Sequence, residues 1–313
     1  MSVDYEVLER INRSFNAQIP YNAWLGLEAI DHGPARAVMR LPKAAHHIGD
    51  PTRRVIHGGV ITAAMDATAG ASVFLALREP RRIATLDLRI DYLRPATAAH
   101  DVISEVSCYH VTHQVAFARG VAYHEDPSEP IASCAGTFMV FPNVVSPLME
   151  IAKAPLPDVA VPEVSVDPSL DVGERIAEAR EEGDPASFVS AIPYMQAMGM
   201  EMRRDADGLL GVLPFGEHLI GNYVVRALHG GTLGSLLEST AAMEVLWRGE
   251  SQGIPRIVNI TVEYLRSAKA ADTFARATIT KAGRRVTAVR AVAWQDNEDK
   301  PVAAANLQFL TAE

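Results

Sequence analysis

The chain is written twice. The stretch "VIHGGVITAAMD" at residues 55–66 returns as "ALHGGTLGSLLE" at residues 227–238, with His-Gly-Gly in the same place and a carboxylate nine residues after the His. The correspondence extends both ways. "IPYNAWLGLE" (19–28) answers "IPYMQAMGME" (192–201), "HHIGDPTRRVIHGG" (46–59) answers "HLIGNYVVRALHGG" (218–231), and "TLDLRIDYLRPA" (85–96) answers "IVNITVEYLRSA" (257–268). A nearly constant offset over so many blocks marks a duplicated unit. The chain therefore has to hold two copies of one domain of ordinary size, and 313 residues suffice for that.

Residues 1–141 are expected to form the first domain and residues 171–313 the second. Between them, residues 142–170 are Pro-rich and weakly periodic, which reads as an extended linker. Within each copy the patterning predicts a short strand pair (25–31 with 35–41; 198–203 with 208–213). A helix then starts at the glycines (58–77; 230–247). The small, apolar run "VITAAMDATAGASVFLAL" suits a helix enclosed by other structure. Long alternating segments follow: "ATLDLRIDYL" places Leu86, Leu88, Ile90 and Tyr92 on one face. Short helices are expected at "LDVGERIAEAREEG" and "YEVLERINRSF", ahead of the two copies. One long helix wrapped by a curved antiparallel sheet, twice, is an α+β architecture.

Composition narrows the function. With 48% hydrophobic and 21% charged residues the chain is globular, and its net charge of −9 argues against a nucleic-acid partner. Cys108 and Cys134 match no metal or disulfide pattern and are read as reduced core residues. The N-terminus lacks a basic region followed by an apolar run, and no apolar stretch approaches the roughly 20 residues of a bilayer span. A cytoplasmic protein with no membrane partner is expected. Histidines 46, 47, 110 and 113 have no metal-ligand spacing, and there is no Gly-rich phosphate loop. No cofactor or metal is expected.

The His-Gly-Gly at a helix start, the acid nine residues on, and the strand ending "YLRPA" or "YLRSA" resemble the hotdog-fold acyl-CoA thioesterases of the phenylacetate-pathway and THEM-like branch. The resemblance covers both copies. It implies two hotdog domains in tandem, packed as a pseudo-dimer. It also implies acyl-CoA as substrate, coenzyme A as part of that substrate, and a homodimer of the tandem chain.

Hydrolysis of a thioester needs a group to activate water and donors for an oxyanion. A helix N-terminus has unsatisfied N–H groups, and Gly there lets a carbonyl approach the backbone. Gly58 and Gly230 fit that role, or else simply permit tight helix–sheet packing. Asp66 and Glu238 stand on nearly uncharged stretches of helix, where burial would raise a carboxylate toward a useful range for a general base. The plain alternative is an acid that reaches solvent or an arginine.

Gly58 and Asp66 lie about 12 Å apart along one helix, so a single thioester cannot touch both. If the two helices pack antiparallel, each Gly faces the acid of the other copy. The resemblance further implies an Asn donor, falling on Asn222 and on Asp50, and a water-holding hydroxyl, falling on Thr85 and on Ile257. One composite site then holds Asn222, His229, Gly230, Asp66 and Thr85. The other holds Asp50, His57, Gly58, Glu238 and Ile257, where an ionised Asp50 would repel an oxyanion. One competent and one degenerate or differently tuned site are expected. His57 and His229 are read chiefly as anchors of the helix start, with proton transfer as the alternative. Arg53, Arg54, Arg226, Arg94 and Arg266 are candidates for the phosphates of coenzyme A. Two other functions compete. A non-catalytic acyl-CoA binder stays open. A hydratase is disfavoured, because no His follows the acid within residues 67–77 or 239–249.

Overall fold

A computed structural model describes residues 6, 9, 11–79, 81–145, 156–167, 169–249 and 253–310. The N-terminal copy runs α1 (Pro20–Leu25), β1 (Glu28–Gly33), β2 (Arg36–Leu41), α2 (Gly58–Ala76), β3 (Arg81–Tyr92), β4 (Val102–Val111), β5 (Val115–Tyr123) and β6 (Ala132–Val145). A helix α3 (Val172–Glu182) precedes the second copy. That copy runs α4 (Pro193–Met198), β7 (Glu201–Asp205), β8 (Gly208–Leu213), α5 (Gly230–Trp247), β9 (Arg256–Tyr264), β10 (Thr273–Ala282), β11 (Val286–Trp294) and β12 (Ala303–Leu310).

The twelve strands form one antiparallel sheet in the order β1-β2-β4-β5-β6-β3-β9-β12-β11-β10-β8-β7. The second half is the mirror list of the first, as a twofold between the copies requires. The halves join where β3 pairs with β9, Ile90 opposite Ile260 and Leu88 opposite Val262. These four side chains are buried. Helix α2 lies against β2 to β6 and α5 against β8 to β12, and the two helices pack on each other. Tyr21 and Tyr194, the same residue of "IPY" in the two copies, meet at the centre with their hydroxyls 2.6 Å apart.

Several expectations shift at the edges. The strands expected at 25–31 and 198–203 start later. Pro20 and Pro193 open short helices, which Gly26 and Gly199 close at φ 70° and 69°. A left-handed residue there costs a glycine little. Leu86 leaves the expected alternation: a bulge between Thr85 and Asp87 shifts the register. The extra residue turns Thr85 toward the helix. Linker residues 156–167 carry no regular structure, and residues 146–155 of that stretch lie outside the described residues. So do residues 5, 7, 8 and 10 of the N-terminal segment expected to be helical, next to which Asn12–Ala17 form a short π-helix. Both cysteines are free and buried.

One expectation needs correcting. Helix α2, with 19 residues, is long and apolar enough by length and composition to cross a membrane. Its apolarity serves a different end, because 78% of that stretch is buried inside the fold. A helix apolar on every side is what a sheet on one face and a second helix on the other demand.

Candidate active site

Both long helices begin in the same way. His57 and His229 hold extended backbone, and each imidazole Nδ1 accepts the N–H two residues on, Gly59 at 3.0 Å and Gly231 at 2.9 Å. The rings do the capping usually done by Ser or Asp. With Nδ1 accepting, the proton belongs on Nε2, and His57 Nε2 lies 3.3 Å from Ser239 Oγ. Burial holds His57 down to about 3 and His229 down to about 4, so both are neutral near pH 7. Neutral caps with both nitrogens engaged or buried suit anchoring rather than proton transfer.

The helices cross antiparallel at small residues. A Cβ placed on Gly59 would overlap Ser235, and one on Gly231 would overlap Ala63. One turn further out, the Gly58 position abuts the carboxylate of Glu238, and Asp66 Oδ2 is 2.9 Å from where a Gly230 Cβ would stand. Each helix start therefore faces the acid of the other copy. Both acids are buried, at 6% and 5% exposure.

The two sites differ in what their carboxylate touches. Thr85 Oγ1 donates to Asp66 Oδ1 at 2.9 Å. Burial pushes Asp66 up to about 6, against the pull of that hydrogen bond. Glu238 is pushed up to about 8 by burial, opposed by hydrogen bonds from Tyr92 and from the Gly59 and Gly58 N–H groups. Its extra methylene carries the carboxyl over the helix start, onto the N–H groups that would otherwise receive a substrate oxygen. Asp66, one carbon shorter, takes no backbone N–H from Gly230 among the described residues.

The cavities follow suit. The Asp66 side opens into about 740 Å³, lined by Asn222, His229, Gly230, Asp66 and Thr85 together. That lies within the usual range of small-molecule sites. The Glu238 side holds about 140 Å³, with Asp50, Gly58 and Ile257 in its wall. Asp50 does not point a bare charge into it, because Arg53 Nε stands 2.7 Å from Asp50 Oδ2. Asn222 accepts the N–H groups of Val224 and Val225 at 3.1 and 3.3 Å through Oδ1, which leaves its amide N–H₂ as the donating end.

The candidate arginines separate. Arg266 lines the large cavity, while Arg53 and Arg94 line the small one. Arg54 and Arg226 line neither. Both sit at positive φ in tight turns, and Arg226 bonds Glu217 at 2.5 Å. Arg81 and Arg82 line the large cavity and were not anticipated. They open β3 after the helix, and charge at a strand end carries no signal of its own in sequence. Sequence patterning places Tyr92 only on one face of its strand and Tyr264 only within the "YLRSA" motif, yet they stand in the two sites. Their recurrence in both "YLR" motifs was the available signal.

Comparison with known proteins places the chain in a family. Residues 54–131 match the thioesterase superfamily, and residues 222–310 match the acyl-CoA thioesterase N-terminal domain. The medium/long-chain acyl-CoA thioesterase YigI of Salmonella typhimurium is 30% identical over 148 residues, which span 43% of this chain and 94% of that protein. The tesB protein of Mycobacterium avium subspecies paratuberculosis superposes with a TM-score of 0.57 at 14% identity, covering 93% of this chain and 98% of that one. A hot dog fold protein from Alicyclobacillus acidocaldarius gives 0.56 at 13% identity, covering 96% and 98%. At such identities the two structures speak to the fold alone.

Proposed function

The chain belongs to the thioesterase superfamily, as two fused hotdog domains, and hydrolyses acyl-CoA thioesters; we propose that turnover runs at the site shared by Asp66 and Gly230. The observation that carries this reading is the crossed placement of Asp66 against Gly230, beside the one large cavity of the two.

The thioester carbonyl lies at the start of α5, its oxygen toward the Gly230 N–H and the Asn222 amide. The positive end of the helix dipole reinforces both donors. Asp66, ionised above about pH 6, takes a proton from a water that Thr85 helps to place. The resulting hydroxide attacks the carbonyl carbon and forms a C–O bond. The tetrahedral oxyanion then collapses, the C–S bond breaks, and the thiolate of coenzyme A receives the proton held by Asp66. The products are the free acid and coenzyme A.

The apolar wall of the cavity, including Phe74, Ile83 and Phe138, accommodates a hydrocarbon tail. A medium or long acyl chain is the proposed substrate, in keeping with the activity named for YigI. Arg81, Arg82 and Arg266 at the same cavity are the proposed holders of the coenzyme A phosphates. The Glu238 site is proposed to contribute little, its own carboxyl filling the place of the oxyanion. Release of free thiol from a panel of short, medium, long and aromatic acyl-CoAs tests the reading. Release that is fastest with medium or long chains supports it, and tight binding of an acyl-CoA without release overturns it.

A further inference from the structure

The small site shows what a filled oxyanion position looks like in this fold. There the Glu238 carboxyl rests on the Gly58 and Gly59 N–H groups, and the Tyr92 hydroxyl stands 3.2 Å from its Oε2. Tyr92 is fully engaged, with Thr62 Oγ1 at 2.7 Å and the Gly58 carbonyl at 2.9 Å. An internal carboxylate thus collects backbone N–H and phenol together.

Tyr264 is the counterpart of Tyr92 in the second copy, and its surroundings have been stripped. Its hydroxyl is buried without a hydrogen-bond partner. The residue matching Thr62 is Gly234, so the hydroxyl that would have bonded it is missing; a Cβ on Gly234 would come within 4.0 Å of Tyr264 Oη. The acid opposite is the shorter Asp66, which makes no hydrogen bond to the phenol. The Tyr264 ring nevertheless stays against the helix start, with Cζ 3.1 Å from the Gly230 Cβ position. It also lines the large cavity. An unpaired buried hydroxyl is costly and therefore rare in folded proteins. Here it lies beside the reacting atoms, at the point where the other copy shows a phenol beside a carboxyl oxygen.

We propose that the Tyr264 hydroxyl is a further catalytic group of the Asp66 site, donating a hydrogen bond to the thioester oxygen as negative charge develops on it, alongside the Gly230 N–H. This rests on the assignment of hydrolysis to that site. Burial keeps the phenol well above its ordinary titration range, so it remains protonated across working pH. The exchange of Thr62 for Gly234 is then what releases the donor from an internal partner to the substrate.

The test uses the full chain with the best acyl-CoA from the panel. Tyr264→Phe is expected to lower kcat by about 100-fold, the usual effect of losing one oxyanion donor. KM should change less than about threefold, because the bond strengthens only in the transition state. The thermal midpoint should hold or rise, since the deleted hydroxyl bonds nothing in the free protein. Affinity for a thioether analogue of the substrate, which lacks the carbonyl, should also be unchanged. A kcat within about twofold of wild type overturns the proposal, and so does a loss confined to KM. Gly234→Ser, compared with Gly234→Ala, gives an independent reading if Tyr264→Phe fails to fold. The serine should slow turnover beyond the alanine by re-engaging the phenol, and equal rates count against the role. Wild-type chain that releases no thiol would instead overturn the assignment of hydrolysis itself, so the two failures are distinguishable.

Discussion

The carboxyl carbon of Glu238 lies 2.8 Å from the position a Cβ would take on Gly58, so the acid of the second copy caps the helix start of the first from within. Its counterpart Asp66 stops short of Gly230 by one methylene and leaves that start open. The change from Asp to Glu between the repeats thereby separates a site that can admit substrate from one whose own carboxyl occupies the helix start. Replacing Glu238 with Gln should keep the contact and cost less than about threefold in kcat/KM.

Gly230 should be the less tolerant of the two glycines for catalysis. A methyl there would stand 2.9 Å from Asp66 Oδ2 and 3.1 Å from the Tyr264 ring. Gly230→Ala is expected to lower kcat by at least about 100-fold, by pushing the carbonyl off the N–H and displacing the base. Steady-state kinetics with thermal melting as control checks this. A folded Gly230→Ala chain of near wild-type rate would show that substrate does not approach that backbone.

The rate should depend on pH through the base. Burial places Asp66 at about 6, so kcat/KM should rise with pH and level off above that value. His57 and His229, held down to about 3 and 4, are already neutral over this range and add no limb of their own. A profile from pH 4.5 to 9 with Thr85→Ala in parallel is informative. Loss of the Thr85 bond, which lowers the Asp66 value, should move the acid limb to higher pH.

Stability should run the other way. Asp66 and Glu238 both titrate higher in the folded chain than their ordinary 3.8 and 4.5, at about 6 and about 8. Below about pH 6.5 the buried His57 and His229, neutral in the fold, oppose this trend, but from about pH 7 to 8 the carboxyls dominate, the native state holds more protons than the unfolded one, and stability falls as pH rises through that window. Thermal midpoints should be higher at pH 7 than at pH 8. Glu238→Gln, which removes the larger of the two shifts, should raise the pH 8 midpoint by roughly 2–4 °C and flatten the trend.

Much of this was legible in the sequence because the repeat supplied its own comparison. His-Gly-Gly and the acid spacing located both helix starts, and helix length ruled out a site within one helix, so that antiparallel packing would cross Asp66 to Gly230 and Glu238 to Gly58. The divergence of Asn222 from Asp50 and of Thr85 from Ile257 already pointed to unequal sites. What escaped depended on contacts made in three dimensions. The bulge that turns Thr85 inward leaves no mark on its neighbours. Arg53 neutralises Asp50 through the turn between them, a pairing that charge alone does not announce. Arg54 and Arg226 lay close to His-Gly-Gly along the chain, yet the left-handed turn carries them away from the cavities. Tyr92 and Tyr264 are equivalent by motif, and only the replacement of Thr62 by Gly234 sets their surroundings apart.

The most direct test compares Asp66→Asn with Glu238→Gln in thiol release at pH 7.5. Each replacement keeps the shape of its acid while removing the ability to take a proton. The predicted result is a fall in kcat of at least about 100-fold for Asp66→Asn, with near wild-type turnover for Glu238→Gln. Equal losses in the two variants, or full activity without the Asp66 carboxylate, would contradict a single working site built across the two repeats.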